Sequence, residues 1–223
     1  MKTLVFWLSG IDGSGKTMQA RKLSTYLTKR KIKVSCIRFG ASIRFFTFPF
    51  YLFFKLMNYV PKYEKGVHTS RYPLLYKRRS LHNLWFFLIL LDMVVLAWIR
   101  AYPKKLRFDI LILDRSPLDV IVELILSSHN PEFHKSIKAT ILYNLVKPDL
   151  VLVFDVPETV AFSRKKDIPN LDFIKVRRAL YRKLAPYFNA TLIDANKPVV
   201  DIRNQLIKIT DHFIRESENR ENI

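Results

Sequence analysis

Five short runs of apolar residues punctuate the chain, and none of them alternates with polar residues. Uninterrupted runs rich in β-branched side chains are typical of parallel strands that are buried on both faces. Helical patterns fill the gaps between the runs, and the first of them covers residues 17–30. We therefore predict an α/β fold, in which a five-stranded parallel sheet is flanked by helices on both faces. The predicted strands are residues 4–8, 34–37, 109–113, 150–154 and 191–193.

The interval from residue 41 to residue 103 departs from this alternation. Residues 84–99 are apolar apart from Asp92. This run is shorter than the roughly 20 residues that cross a bilayer. A carboxylate at the centre of a bilayer also costs about 2.5–3.5 kcal/mol to insert. We expect a buried helix beside a binding pocket, in which Asp92 is either a pocket residue or a core carboxylate with satisfied hydrogen bonds.

A second apolar run, residues 45–54, is hard to bury in a small domain. Packing into the core is the commonest outcome for such a run. The run also leaves open a dimer surface, a lid over a pocket, or a peripheral membrane contact through residues 45–60. The basic residues that would favour the membrane contact are Arg71, Arg78, Arg79, Lys104 and Lys105.

Length and cysteine content set the size class and the compartment. The chain has 223 residues, 49% of them hydrophobic, which suits one domain over residues 1–214 with a fraying polar tail at residues 215–223. Cys36 is the only cysteine, so an internal disulfide and a cysteine metal cluster are excluded, as is usual in the cytoplasm. The opening apolar run leads directly into a glycine loop, and we interpret it as a first strand rather than a signal peptide.

The chain is strongly basic, with 38 Lys and Arg against 19 Asp and Glu and a net charge of +19. This charge favours anionic partners such as nucleotides, nucleic acid or an acidic membrane surface. The basic residues are spread along the chain, and no signature of RNA or DNA binding is present. Charge alone does not choose among these partners, although the missing signature argues against nucleic acid.

A complete phosphate-binding loop follows the first predicted strand. Its pattern, G-x-x-x-x-G-K-[ST], places backbone N–H groups around a phosphate at the start of a helix. Lys16 would reach the β- and γ-phosphates of ATP, and the Thr17 hydroxyl would bind Mg²⁺. The loop consists of Gly10, Ile11, Asp12, Gly13, Ser14, Gly15, Lys16 and Thr17.

A carboxylate and an arginine end the third predicted strand. Asp114 lies at the tip of a strand beside the phosphate loop, where it can hold the Mg²⁺ shell or accept a proton. Arg115 can bind a phosphate in bidentate fashion. Further along, Asp119 and Glu123 lie one helical turn apart. We interpret them as a solvated face, although they follow Asp114 closely enough to line the cleft. His129 and His134 lack a metal-ligand pattern and are interpreted as loop residues.

Together these motifs resemble the thymidylate kinase family. The match covers roughly residues 1–40 and 105–210, with the phosphate loop followed by Gln19 as its most specific part. Similar segments lie at residues 114–115, 147–158, 176–181 and 193–198. The resemblance implies a P-loop kinase fold, ATP and Mg²⁺ as cofactors, dTMP as the default acceptor and a homodimer.

The resemblance also assigns roles around the nucleotide. Some family members carry an arginine inside the phosphate loop, whereas others have glycine there and supply the charge from a lid. Gly13 places this chain with the second group, so Arg164 becomes the candidate clamp on the γ-phosphate, with a lid at residues 158–176. A solvated helix end is the alternative interpretation of Arg164 and its basic neighbours, Lys165 and Lys166. Ala195 and Lys197 would contact adenine, while Asp12 would touch the acceptor sugar or cap the turn.

The acceptor half of the site departs from the family. Only Arg38 remains of the motif after the second strand, and Met93 follows Asp92 where the family has an arginine that reads thymine. Ser116 replaces the usual tyrosine, so that Asp-Arg-Ser is similar to the Glu-Arg-Ser of deoxynucleoside kinases. We expect Arg38, Asp92 and Arg115 to bind the acceptor.

The leading hypothesis is ATP-dependent phosphorylation of a nucleoside monophosphate, dTMP by default, in the cytoplasm. The alternatives are a kinase for a nucleoside or another metabolite, including one presented at a membrane, and a P-loop NTPase that associates with nucleic acid or a membrane.

Overall fold

The computed structural model describes residues 2–39, 45–49, 52, 79–128, 130–165 and 170–221. Its centre is a five-stranded, wholly parallel sheet in the order β2-β3-β1-β4-β5, which confirms the predicted α/β fold. Strand β1, which is buried at every position, occupies the middle of the sheet. The strands are β1 (Leu4–Gly10), β2 (Val34–Arg38), β3 (Ile110–Asp114), β4 (Leu150–Asp155) and β5 (Thr191–Asp194).

The described part of the chain has eight α-helices, the last of which follows the last strand. A π-helical segment at Ala97–Ala101 continues one of them, and a separate 3₁₀ turn lies at Phe133–Lys135. The helices are α1 (Lys16–Lys29), α2 (Arg79–Leu96), α3 (Tyr102–Lys105), α4 (Pro117–Ser128), α5 (Ile137–Leu145), α6 (Glu158–Arg164), α7 (Leu171–Leu184) and α8 (Val199–Glu221).

Two neighbouring residues of β1 show that helices cover both faces of the sheet. Successive side chains of a strand point to opposite faces. The Phe6 ring meets Phe213 of α8 edge-on at 5.9 Å. The Trp7 indole meets Tyr143 of α5 at 5.3 Å and donates a 3.0 Å hydrogen bond to the carbonyl of Val146. Both aromatic residues are fully buried.

Helices α1 and α8 pack together on the face that Phe6 shares. Tyr26 of α1 donates a hydrogen bond to Asp211 of α8, and Arg30 binds the same carboxylate at 2.6 Å. Helix α8 continues to Glu221, so residues 215–221, predicted to fray, are helical in the structure. Packing against the domain holds α8 as far as Ile214, and the mostly exposed residues beyond it continue the same helix.

The apolar helix α2 runs through the π-helical segment into α3 without a break. This continuous helix has 23 residues over Asn83–Lys105, and its most apolar window of 18 residues has a mean hydropathy of 2.1 and is 39% buried. By length and composition this is the one described helix that could cross a membrane, and a buried core helix can pass the same test. The sequence argument counted only the apolar run of residues 84–99, whereas the helix that contains this run is longer. The prediction of a buried helix is borne out on one face, at Trp85, Phe86, Met93 and Leu96.

Several residues named from the sequence lie outside the described ranges. They include Arg71, Arg78, His129, Lys166 and most of residues 45–60.

Candidate functional site

The glycine loop after β1 encloses the amino group of its own lysine. Helix α1 begins at Lys16, directly after Gly15, which has a left-handed backbone with φ of 81°. The Lys16 Nζ donates hydrogen bonds to the carbonyls of Gly10 at 2.8 Å and Ile11 at 3.0 Å. Burial lowers the pKa of Lys16, since a charged amine is disfavoured away from water. The loop thus holds a buried cation at the carboxyl edge of the sheet.

Neighbouring backbone approaches this loop so closely that two positions require glycine. A Cβ on Gly10 would lie 2.6 Å from the carbonyl oxygen of Phe154 in β4. A Cβ on Gly13, where φ is 84°, would lie 2.4 Å from the carbonyl oxygen of Ala161 in α6. No side chain fits at either position without moving backbone. An arginine at position 13 is therefore incompatible with this packing, and any cation above the loop must come from elsewhere.

Buried polar atoms around the loop lack protein partners. Ser14 Oγ and Asp114 Oδ1 are both buried and have no hydrogen-bond partner in the part of the chain that is described. Such atoms are rare in native structures, and a ligand or metal shell is one explanation for them. Around Gly15, nothing lies within 4 Å of a Cβ position. These features fit the phosphates of ATP at the loop and Mg²⁺ beside Thr17 and Asp114.

Asp12 lies at the meeting point of three cations. Its carboxylate is hydrogen-bonded to the guanidinium of Arg115, and it lies 3.6 Å from Lys165 Nζ and 4.0 Å from Lys16 Nζ. Burial raises the pKa of Asp12, but the three cations outweigh burial and lower the pKa to about 2. Asp12 is therefore ionised at neutral pH and links the loop to β3 and to the end of α6.

The position of Arg115 follows from the register of the sheet. Asp114, the last residue of β3, pairs with Leu8 of β1 and with Arg38 of β2. Arg115 then turns with φ of 65°, in the left-handed region that a non-glycine residue adopts only at some cost. This turn directs the guanidinium of Arg115 to Asp12, with which it forms an ion pair.

A cavity of about 170 Å³ opens directly beside the loop. Its walls come from the loop, from β2 through Phe39, and from helices α2, α4 and α7. One wall is apolar, and α2 supplies most of it through Trp85, Ile89, Met93 and Leu96. The polar part of the lining contains Asp12, Arg115, Asp119, Glu123, Arg177 and Tyr181. A ligand with an apolar ring and several polar groups would suit these walls.

Asp119 joins three elements on the polar wall. It accepts hydrogen bonds from the Ser116 backbone N–H at 2.8 Å and from the Tyr181 hydroxyl at 2.7 Å. It also accepts one from Ser9 Oγ at 2.9 Å. Ser116 and Asp119 form a capping box at the start of α4, which fixes the turn that carries Arg115. The interpretation of Asp119 as part of a solvated face was therefore wrong.

Glu123 likewise faces the cavity rather than solvent. It accepts a 2.6 Å hydrogen bond from Arg177, whose guanidinium lies 3.4 Å above the Phe173 ring. Arg177 and Tyr181 were known from the sequence only as part of a similar helix, without a role. Their spacing at four-residue intervals from Phe173 could have indicated their position, because residues at this spacing lie on the same face of a helix, and here that face of α7 is buried.

Asp92 is both a pocket residue and a carboxylate with satisfied hydrogen bonds, the two interpretations that the sequence left open. It lines the cavity, yet both of its carboxylate oxygens are occupied. One oxygen accepts a 2.8 Å hydrogen bond from the Phe46 N–H, and the other accepts from the Thr47 N–H and hydroxyl at 3.1 and 2.6 Å. The structure thus gives Asp92 a supporting role, in which it anchors residues 46–47 to α2.

Arg38, Arg164 and the adenine-loop residues lie further from the cavity. The Arg38 side chain is exposed, so its acceptor-binding role stays a prediction. Arg164 donates a 3.2 Å hydrogen bond to the carbonyl of Ala195, whose N–H binds the carbonyl of Asp155. Lys197, also exposed, follows on the same loop. Arg164 is therefore attached to the candidate adenine loop, whereas Lys165 is the α6-end residue that contacts Asp12.

No protein-family model matches this chain.

The anchoring role of Asp92 predicts a cost in stability. Replacing Asp92 by Ala removes three hydrogen bonds and leaves two backbone N–H groups without their acceptor, so we expect a loss of about 3 kcal/mol in the free energy of unfolding. Asp92→Asn, which keeps one acceptor oxygen, should lose less. Urea denaturation of both variants measures the effect. An unchanged unfolding midpoint for Asp92→Ala would contradict the anchoring role.

Proposed function

We propose that this protein transfers the γ-phosphoryl group of ATP–Mg²⁺ to a nucleoside monophosphate, with dTMP as the default acceptor. The observation that carries the proposal is the shared boundary between the phosphate loop and the cavity. Residues Gly10, Ile11 and Asp12 belong to both. A donor held by the loop and an acceptor held in the cavity would therefore meet at Asp12 and Arg115, and holding two reactants together supplies much of the catalysis in phosphoryl transfer.

On the donor side, the chain supplies a buried cation and oxygen ligands. Lys16 would exchange its hydrogen bonds to the loop carbonyls for bonds to phosphate oxygens. Thr17 and Asp114 would hold Mg²⁺, which when bound neutralises charge on the phosphates. The unpartnered Ser14 Oγ supports this assignment, because a bound phosphate would satisfy it.

On the acceptor side, Arg115 would bind the acceptor phosphate. Its guanidinium already lies at the cavity wall and is held there by Asp12. The apolar wall of α2 would pack against the base, with buried Met93 in direct contact. Arg177 and Glu123 offer one donor group and one acceptor group for the polar edge of a base.

The charge of the cavity favours a second candidate, a kinase for a nucleoside or a similar uncharged metabolite. Among described residues the cavity walls contain four carboxyl side chains, Asp12, Asp92, Asp119 and Glu123, against two arginines. Asp119 and Asp12 outweigh burial and raise the pKa of Arg115, so that its charge is already compensated within the protein. An acceptor without a phosphate would meet less repulsion from this wall.

A coupled assay of ADP release tests the proposal. We expect turnover with dTMP in a panel of nucleoside monophosphates and nucleosides, and a drop of about 10²–10³-fold for Lys16→Ala, since transition-state charge loses a buried cation. Lys22→Ala, an exposed lysine on the same helix, is the matched control and should keep full activity.

The two candidates give different patterns in this panel. Turnover with nucleosides and none with monophosphates would favour the second candidate over the first. Silence with every acceptor, in a protein that still binds ATP, would contradict both.

Alanine variants of the two basic residues at the end of α6 should change different kinetic constants. Lys165 contacts Asp12, so we expect Lys165→Ala to lower kcat by about tenfold or more with little change in the KM for ATP. Arg164 holds the Ala195 carbonyl, so Arg164→Ala should mainly raise the KM for ATP. Steady-state measurement of kcat and of the KM for ATP in both variants tests these two roles. The reverse pattern would restore Arg164 as the clamp on the γ-phosphate.

A further inference from the structure

An exposed apolar stripe crosses the surface formed by the π-helical segment, α3 and α5. Trp98, Tyr102 and Leu106 follow one another at four-residue intervals and are 69%, 37% and 88% exposed. The indole and phenol rings of the first two lie 5.8 Å apart. Side chains at this spacing share one face of a helix. Large apolar side chains this exposed, grouped on one face, are unusual for a water-facing surface.

Helix α5 extends the stripe sideways. Ile137 and Ile141, again four residues apart, are 80% and 42% exposed. Tyr102 joins them along a shallow groove, and its hydroxyl donates a 2.9 Å hydrogen bond to the Leu145 carbonyl. The two helices thus present one continuous surface, which we call the aromatic stripe: Trp98, Tyr102, Leu106, Ile137 and Ile141.

The two segments that carry the aromatic stripe are basic. Residues 93–108 and 136–148, which carry it, contain no Asp or Glu. The same two segments contain the basic residues Arg100, Lys104, Lys105, Arg107, Lys138 and Lys147. Tryptophan and tyrosine at the centre of such a surface are the residues that settle at the boundary between lipid headgroups and acyl chains. Lysine and arginine around them attract an anionic surface.

We propose that the aromatic stripe docks this protein onto the surface of an anionic lipid bilayer. The charge complementarity selects the lipid, and the exposed isoleucines and leucine supply apolar area that a nucleic acid would leave unburied. This surface differs from residues 45–60, and it does not depend on the phosphotransfer activity.

The contact is peripheral rather than spanning. The opposite face of the same helix is buried in the protein at Met93, Leu96, Ala97 and Ala101. Asp92 on that face is hydrogen-bonded to residues 46 and 47. If the helix spanned a bilayer, these side chains would lose their packing in the domain, and the Asp92 carboxylate would lose its hydrogen bonds.

The tryptophan content of the chain provides a direct readout. Of its three tryptophans, Trp7 and Trp85 are buried at 0% and 4% exposure, so only Trp98 meets solvent. We expect the full chain to float with vesicles of phosphatidylcholine and phosphatidylserine but not with pure phosphatidylcholine vesicles. Its fluorescence should shift to the blue on binding. Trp98→Phe should still float and should lose the shift.

Variants separate the apolar and the electrostatic parts of the contact. The double variant Trp98→Ser with Leu106→Ser changes two exposed apolar residues and leaves the net charge unchanged. It should lower partitioning of the protein onto vesicles by about tenfold or more. Val200→Ser, another exposed apolar site, is the control. Lys104→Glu with Lys105→Glu should weaken binding at least about tenfold. The equally charged pair Lys22→Glu with Lys29→Glu, on α1 across the sheet, should weaken it much less.

Three results would overturn the proposal. One is the absence of binding to anionic vesicles. Another is resistance of the bound protein to extraction by high salt or alkali, which would show a spanning helix. The third is a dimer in sedimentation velocity that Trp98→Ser with Leu106→Ser dissociates, which would assign the aromatic stripe to a second copy of the chain.

Discussion

The close approach of backbone to backbone around the phosphate loop is the constraint on which the rest of the site depends. Gly10 lies against β4 and Gly13 against α6, with no room for a Cβ at either position. This contact holds the end of α6 beside the loop, where Lys165 reaches Asp12. Because position 13 excludes a side chain, charge above the loop has to come from the neighbouring helix. A steric property of two glycines therefore decides which side chains can lie above the loop.

Asp12 transmits this arrangement to the cavity. It binds Arg115, and the capping box of Ser116 and Asp119 fixes the turn on which Arg115 lies. Tyr181 closes the network through its hydroxyl bond to Asp119. Burial raises the pKa of Tyr181 well above its usual value, so the hydroxyl remains a donor at neutral pH. Loop, strand end and two helices are joined by hydrogen bonds between buried or half-buried groups, which favours a preformed site.

The sequence predicted the sheet and the position of the glycine loop between β1 and α1 because both depend on local patterns. Apolar runs mark β1, β3 and β4, and the glycine loop is contiguous. The cavity was harder to predict from the sequence. Its polar wall combines Asp119 and Glu123 of α4 with Arg177 of α7, and these residues lie far apart in the chain. Asp119 looks like a surface carboxylate until the capping box and Tyr181 are seen beside it. The extent of the apolar helix was also missed, because Arg100 and Pro103 end the apolar run without ending the helix.

The central claim is that the phosphate loop and the adjoining cavity form one site for phosphoryl transfer. A crystal structure with Mg²⁺ and a non-hydrolysable ATP analogue tests it most directly. The account predicts that the β-phosphate lies within the loop, that Lys16 leaves the carbonyls of Gly10 and Ile11 for the phosphates, and that the γ-phosphate faces the cavity beside Asp12 and Arg115. A nucleotide bound elsewhere, or a γ-phosphate pointing away from the cavity, would contradict it.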